Sequence, residues 1–97
     1  MNERDYLIVL YDYYCELFNE KQRTYFEDYY FNNLSLGEIS ENLGISRNAI
    51  HKVLKNIEEK LIFYENKLEL YKKSEKIKEI ISLTDADTIK EKLKELI

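Results

Sequence analysis

Ninety-seven residues with fifteen Lys+Arg against nineteen Asp+Glu carry a formal charge of −4, and 44% of the residues are hydrophobic. No proline and only two glycines exclude a β-rich or loop-rich fold and predict one small all-α domain over residues 1–97. No apolar run approaches the ~20 residues of a membrane span, the acidic start lacks the marks of a signal peptide, and the lone Cys15 excludes an internal disulfide, so a cytoplasmic protein is expected.

The first predicted helix runs from about Asp5 to Phe18. Tyr6, Leu7, Leu10, Tyr13, Tyr14, Leu17 and Phe18 recur there at spacings of three and four, a stripe broad enough to meet more than one neighbour. Aromatic residues at helical spacing read first as core. Stacking on nucleic-acid bases is the alternative for the tyrosines, and a protein-binding aromatic face over residues 6–31 is another. Asn19 then offers an N-cap with Gln22 as capping-box partner, opening a second helix over Glu20–Asn32 with Tyr25, Phe26, Tyr29 and Tyr30 as its apolar positions. Asn32-Asn33 supplies the turn that follows.

Residues 35–55, SLGEISENLGISRNAIHKVLK, read as a helix-turn-helix. Ser35 and Glu38 form a second capping box, and Leu36, Ile39 and Leu43 follow at helical spacing. Gly44 sits where a helix end needs left-handed backbone. Ile45 tucks between the helices, Ser46 caps the next one, Ala49 permits close approach, and Ile50 and Val53 face inward.

No breaker follows Ser46, so a long helix is predicted over 47–72. Its apolar residues continue through Leu54, Ile57, Leu61, Tyr64, Leu68 and Tyr71 at alternating intervals of three and four. That seam predicts a homodimer interface. A long helix covered by other helices of the same chain fits the same pattern, and the flanking Glu58, Lys60, Glu65 and Lys67 do not decide between parallel and antiparallel pairing. The tail, 73–97, places Ile77, Ile80 and Ile81 on a continuing or separate helix. A break at Leu83-Thr84 follows, with Thr84 as N-cap of a C-terminal helix edged by Ile89, Leu93, Leu96 and Ile97.

Charge is divided unevenly. Residues 1–45 total −6 and residues 46–97 total +2. Ser46, Arg47, Asn48, His51, Lys52 and Lys55 crowd the first three turns of the long helix, and the last five fall at angles opposite Ile50, Val53 and Leu54. A helix entering a major groove needs its donors there: guanidinium for guanine or phosphate, carboxamide for adenine, lysine for phosphate. These residues are the candidate nucleic-acid contacts, although a net charge of −4 opposes a polyanion and demands a local patch. No catalyst is offered: Cys15 and His51 are the only residues of their kinds, no third orienting group is suggested, and no metal site, cofactor or phosphate loop is expected.

The run Asn19-Glu20-Lys21-Gln22-Arg23, then Tyr25-Phe26-Glu27-Asp28-Tyr29-Tyr30, then Leu34 through Ile50, resembles the YlxM family of small bacterial helix-turn-helix proteins, as does Leu61 through Leu68. The entry helix and motif are also similar to sigma-factor region 4. The resemblance covers residues 1–72 and implies a three-helix core with an N-terminal helix, an extended last motif helix and a C-terminal helix. It also implies a regulatory role linked to the signal recognition particle, with DNA, the particle's RNA, its GTPase or the receptor as partner.

Overall fold

The computed structural model describes residues 1–83 and 85–96. It contains six α-helices: α1 (Glu3–Tyr14), α2 (Glu20–Tyr30), α3 (Leu36–Leu43), α4 (Arg47–Leu68), α5 (Leu70–Ile81) and α6 (Ala86–Lys94), with a 3-10 turn at Cys15–Leu17 and no strand among the described residues. The helix starts follow local chemistry. Asn19 and Gln22 exchange side-chain-to-backbone hydrogen bonds of 2.8 and 2.9 Å, and Ser35 and Glu38 do the same at 3.1 and 3.0 Å. Gly44 closes α3 at φ 67°, and Asn33 takes the left-handed turn position at φ 55°. The first helix starts earlier than Asp5, because Asn2 Oδ1 accepts from Asp5 N at 2.8 Å and caps it.

The long helix α4 is the spine. Its Ile57 and Leu61 join Leu7, Leu10, Tyr11, Tyr14, Phe18, Phe26 and Tyr30 in one core cluster. Its Ile50 and Leu54 join Tyr25 and Ile39 in a second. The seam expected to face a partner subunit is therefore largely taken up within the chain. Leu54, Ile57 and Leu61 are at most 3% exposed against α1, α2 and α3, Tyr64 packs on Tyr14 and Phe18, and Tyr71 on Tyr6 and Tyr13. Only Leu68 of that set remains exposed. The physical reason is that a three-four periodicity specifies an apolar stripe, not its occupant. The aromatic face over residues 6–31 is likewise mostly core: Tyr11, Tyr14, Phe18, Tyr25, Phe26 and Tyr30 are all buried.

Each pair of α1, α2 and α4 is pinned by one tyrosine-to-glutamate hydrogen bond of 2.6 Å. Tyr11 donates to Glu27, Tyr30 to Glu58 and Tyr14 to Glu65. Burial, then the adjacent carboxylate, pushes all three phenols up, Tyr14 to about 12 from an ordinary 10.0. A phenol raised in the folded state contributes stability that is intact below its unfolded pKa and lost as pH rises through the folded value. Melting temperature is therefore expected to hold to about pH 10 and to fall progressively toward pH 12, with tyrosinate absorbance rising alongside unfolding.

The long helix stops at Leu68, not at residue 72, because Glu69 turns the chain in left-handed backbone at φ 54°. The cause is Glu65, at 6% exposure the one buried charged side chain among the described residues. Its carboxylate accepts from Tyr14 Oη, from Tyr71 N at 3.1 Å and from Lys72 N at 3.1 Å, while Leu70 N donates to Tyr14 Oη at 3.1 Å. A side chain from the previous helix thus satisfies the orphan N–H groups of α5, which its own N-cap residue leaves unbonded. Beyond the kink, α5 and α6 extend the molecule to 58 × 22 × 20 Å, with a radius of gyration of 17.6 Å against ~13 Å for a compact chain of this size. Asp85 caps α6 by accepting from Asp87 N. The Thr84 cap and the apolar edge at Ile97 lie outside the described residues.

Candidate nucleic-acid interface

The two motif helices are held by the second core cluster. Ile39 of α3 and Ile50 and Leu54 of α4 meet Tyr25 of α2, with Ile45 and Val53 packed alongside. Ser40 Oγ donates to the Ile45 carbonyl, which fixes the turn after Gly44. Ser46 Oγ accepts from Ala49 N at 3.2 Å and starts α4. With its inner face set by Ile50, Leu54 and Ile57 and flanked by half-buried Ala49 and Val53, α4 turns the opposite side of its first three turns to solvent.

Ser46, Arg47, Asn48, His51, Lys52 and Lys55 are all exposed there. At 100° per residue, the last five cover one continuous arc on the side away from the core. The ion pairs among the described residues, Lys72–Glu69 and Lys78–Glu75, both lie at α5, so the cations of this arc are not neutralised by carboxylates. The first turn of α4 also lacks an acidic residue, whereas α1, α2 and α3 each have at least one. The positive end of its dipole and its free N–H groups therefore favour an anion. Glu59, one turn beyond Lys55 and exposed, marks where the arc ceases to be basic.

One residue of the set is not simply outward. The Arg47 guanidinium lies across Gly37, so close that a Cβ at that position would stand 2.7 Å from Nη2. Gly37 thus lets Arg47 lie flat over the start of α3, a role invisible in the sequence because φ there is not left-handed and helix patterning only penalises the glycine. Gly37→Ala is expected to raise stability by about 0.5–1 kcal/mol through helix propensity, since the guanidinium is a flexible end that swings away. Thermal melting checks this, and a lowered Tm would show that Arg47 cannot leave. No helix among the described residues is long and apolar enough to cross a membrane, and none of their His, Cys, Asp and Glu side chains form a group of three suited to a metal ion.

Comparison with known proteins agrees with this architecture. The model of the UPF0122 family, helix-turn-helix proteins like YlxM and p13, matches residues 1–97. A UPF0122 protein of Caldanaerobacter subterraneus subsp. tengcongensis is 51% identical over 83 residues, covering 78% of this chain and 71% of that protein. One of Thermoanaerobacter sp. is 49% identical over 72 residues, 74% of this chain and 62% of its own length. One of Ureaplasma parvum is 39% identical over 95 residues, 98% of this chain and 96% of its own. With two capped helices around a left-handed Gly44 and a matched family model over its whole length, this chain belongs to the UPF0122 family of YlxM-like helix-turn-helix proteins.

Proposed function

We propose that the protein binds nucleic acid, with duplex DNA as first target, through the exposed face of α4 formed by Arg47, Asn48, His51, Lys52 and Lys55, with Ser46 at its head. The observation that carries this reading is an exposed basic and amide-bearing arc, unpaired with carboxylates, on the second helix of a helix-turn-helix whose first turn has no acid. Lysines position the helix on phosphates, and Arg47 and Asn48 have the donors that read guanine and adenine edges. The role is regulatory and non-enzymatic. The resemblance to YlxM proteins adds the particle's RNA as a second target and protein targeting as the process served.

Two copies acting together belong to this reading, because a second basic helix offsets the repulsion of an acidic chain. With the α4 seam internal, Leu68 together with Leu70, Ile77 and Ile81 of α5, all at least 41% exposed, offers apolar surface for pairing. Sedimentation at micromolar concentration reads this directly; a monomer refutes pairing without touching the α4 contacts. The function itself is tested by salt-resolved titrations against random duplex DNA, the protein's own upstream region and signal recognition particle RNA. Salt-steep binding to DNA supports the reading, preference for the RNA moves it to the particle, and no binding overturns it.

A further inference from the structure

Between the start of α2 and the flank of α4 lies an open groove of about 290 Å³, lined by Asn19, Lys21, Gln22, Tyr25, Lys52 and Asn56 together with Val53. Its composition departs from that of the other grooves. Four other grooves among the described residues each carry at least one carboxylate, as a chain of charge −4 leads one to expect. This groove carries two ammonium groups, one from each helix, and no carboxylate. The register of α2 explains it: Lys21, Gln22 and Tyr25 share the side turned to α4, and Glu20 and Thr24 lie on the other.

Its polar groups are donors in search of an acceptor. Asn19 and Gln22 use their amide oxygens in the capping box, and neither NH₂ group has a partner among the described residues. Tyr25 is 3% exposed, yet its hydroxyl makes no hydrogen bond among the described residues, whereas the equally buried Tyr11, Tyr14 and Tyr30 each donate to a glutamate. No buried side-chain polar atom among the described residues lacks a partner, so the Tyr25 hydroxyl is the solvent-reached tip of a buried ring, free to donate to a group seated in the groove. The Lys21 ammonium stands 6.0 Å from the centre of the Tyr25 ring, a cation–π distance that holds the charge over the groove floor. Donors without a competing carboxylate suit an oxyanion.

We infer that this groove seats a phosphate of the nucleic-acid backbone beside the segment read by α4, with Lys21 and Lys52 supplying charge and Tyr25, Asn19, Gln22 and Asn56 supplying hydrogen bonds. The inference rests on the nucleic-acid reading above and adds α2 to the interface. Lys52, shared by the groove and the α4 face, joins the two surfaces, so one strand crosses from the reading helix onto α2. Phosphate contacts of this kind fix register and orientation.

The test titrates random duplex DNA against the full chain and its Lys21→Gln, Tyr25→Phe, Asn56→Asp and Lys52→Gln variants at several salt concentrations. Lys21→Gln is expected to reduce the salt slope by about 0.9 and to weaken binding about eightfold at 0.1 M salt. Tyr25→Phe weakens binding severalfold with no loss of Tm, because no bond within the protein is lost. Tyr30→Phe gives the opposite pair, a lower Tm with unchanged binding. Asn56→Asp, which places an anion in the groove, weakens binding as well. If Lys52→Gln flattens the slope while Lys21→Gln, Tyr25→Phe and Asn56→Asp titrate like the parent, the groove is refuted and the reading helix stands. A parent protein that binds no duplex overturns both.

Discussion

Reversing Lys52 and Lys55 together is expected to reduce duplex binding by at least about 60-fold at 0.1 M salt and to lower the salt slope by about 1.8. Each phosphate contact releases ~0.9 condensed counterion, so two lost contacts multiply to that factor, and reversal adds repulsion to the loss. Both side chains are exposed and unpaired, which keeps the effect off the fold. Circular dichroism and Tm of Lys52→Glu/Lys55→Glu should match the parent within the ±0.5 kcal/mol usual for surface substitutions. An unchanged salt slope in the double variant would remove α4 from the interface. Arg47→Ala and Asn48→Ala are expected to differ from it in kind, because losing a base-edge contact costs discrimination between sequences while leaving random-duplex binding nearly intact.

Glu65→Ala is expected to cost about 3 kcal/mol or more, a lowering of Tm by at least ~12 °C in a chain of this size. The carboxylate serves three donors from two directions: the Tyr14 hydroxyl and the backbone N–H groups of Tyr71 and Lys72. Its removal orphans all three around a side chain that is 6% exposed, the Tyr14 hydroxyl in a buried position and the two N–H groups in part-buried ones, and each unsatisfied buried donor costs ~1–3 kcal/mol. Against a total stability of ~5–15 kcal/mol for about a hundred residues, that is a large share. The loss should be local first, because α5 is joined to the core chiefly through this site and through Tyr71 against Tyr6 and Tyr13. Amide exchange should rise in α5 and α6 before α3 and the start of α4. Glu65→Gln, which keeps one acceptor, should fall between parent and Glu65→Ala. Uniform protection across all helices in Glu65→Ala would show that the kink is held by something else.

The two effects fall at opposite ends of α4. The helix-turn-helix face depends on Ile39, Ile50, Leu54 and Tyr25, whereas Glu65 organises the departure of α5. Variants at one end should therefore leave the other's readout unmoved, in keeping with additivity between distant sites.

Short-range signals make much of this fold legible in the amino-acid order alone. The capping boxes at Asn19/Gln22 and Ser35/Glu38, the left-handed Gly44, the Ser46 cap and the outward angles of Arg47 to Lys55 each depend on residues within one or two turns, and each stands where the spacing placed it. The identity of each helix's neighbour, by contrast, emerges only from long-range packing. The three-four stripe from Leu54 to Tyr71 is the same pattern whether a partner subunit or the same chain covers it; here Tyr25 and Ile39 cluster with Leu54, and Leu7, Leu10 and Tyr14 with Ile57 and Leu61. The end of α4 was equally hidden, because the Glu65 carboxylate that organises the bend at Glu69 is held by a hydroxyl fifty-one residues away. Tyr25 belongs to the same class: only the packing of α2 on α4 singles out, among the four buried tyrosines, the one whose hydroxyl donates to no protein group among the described residues. Periodicity fixes which face of a helix is apolar, and long-range packing chooses what that face and its few polar groups meet.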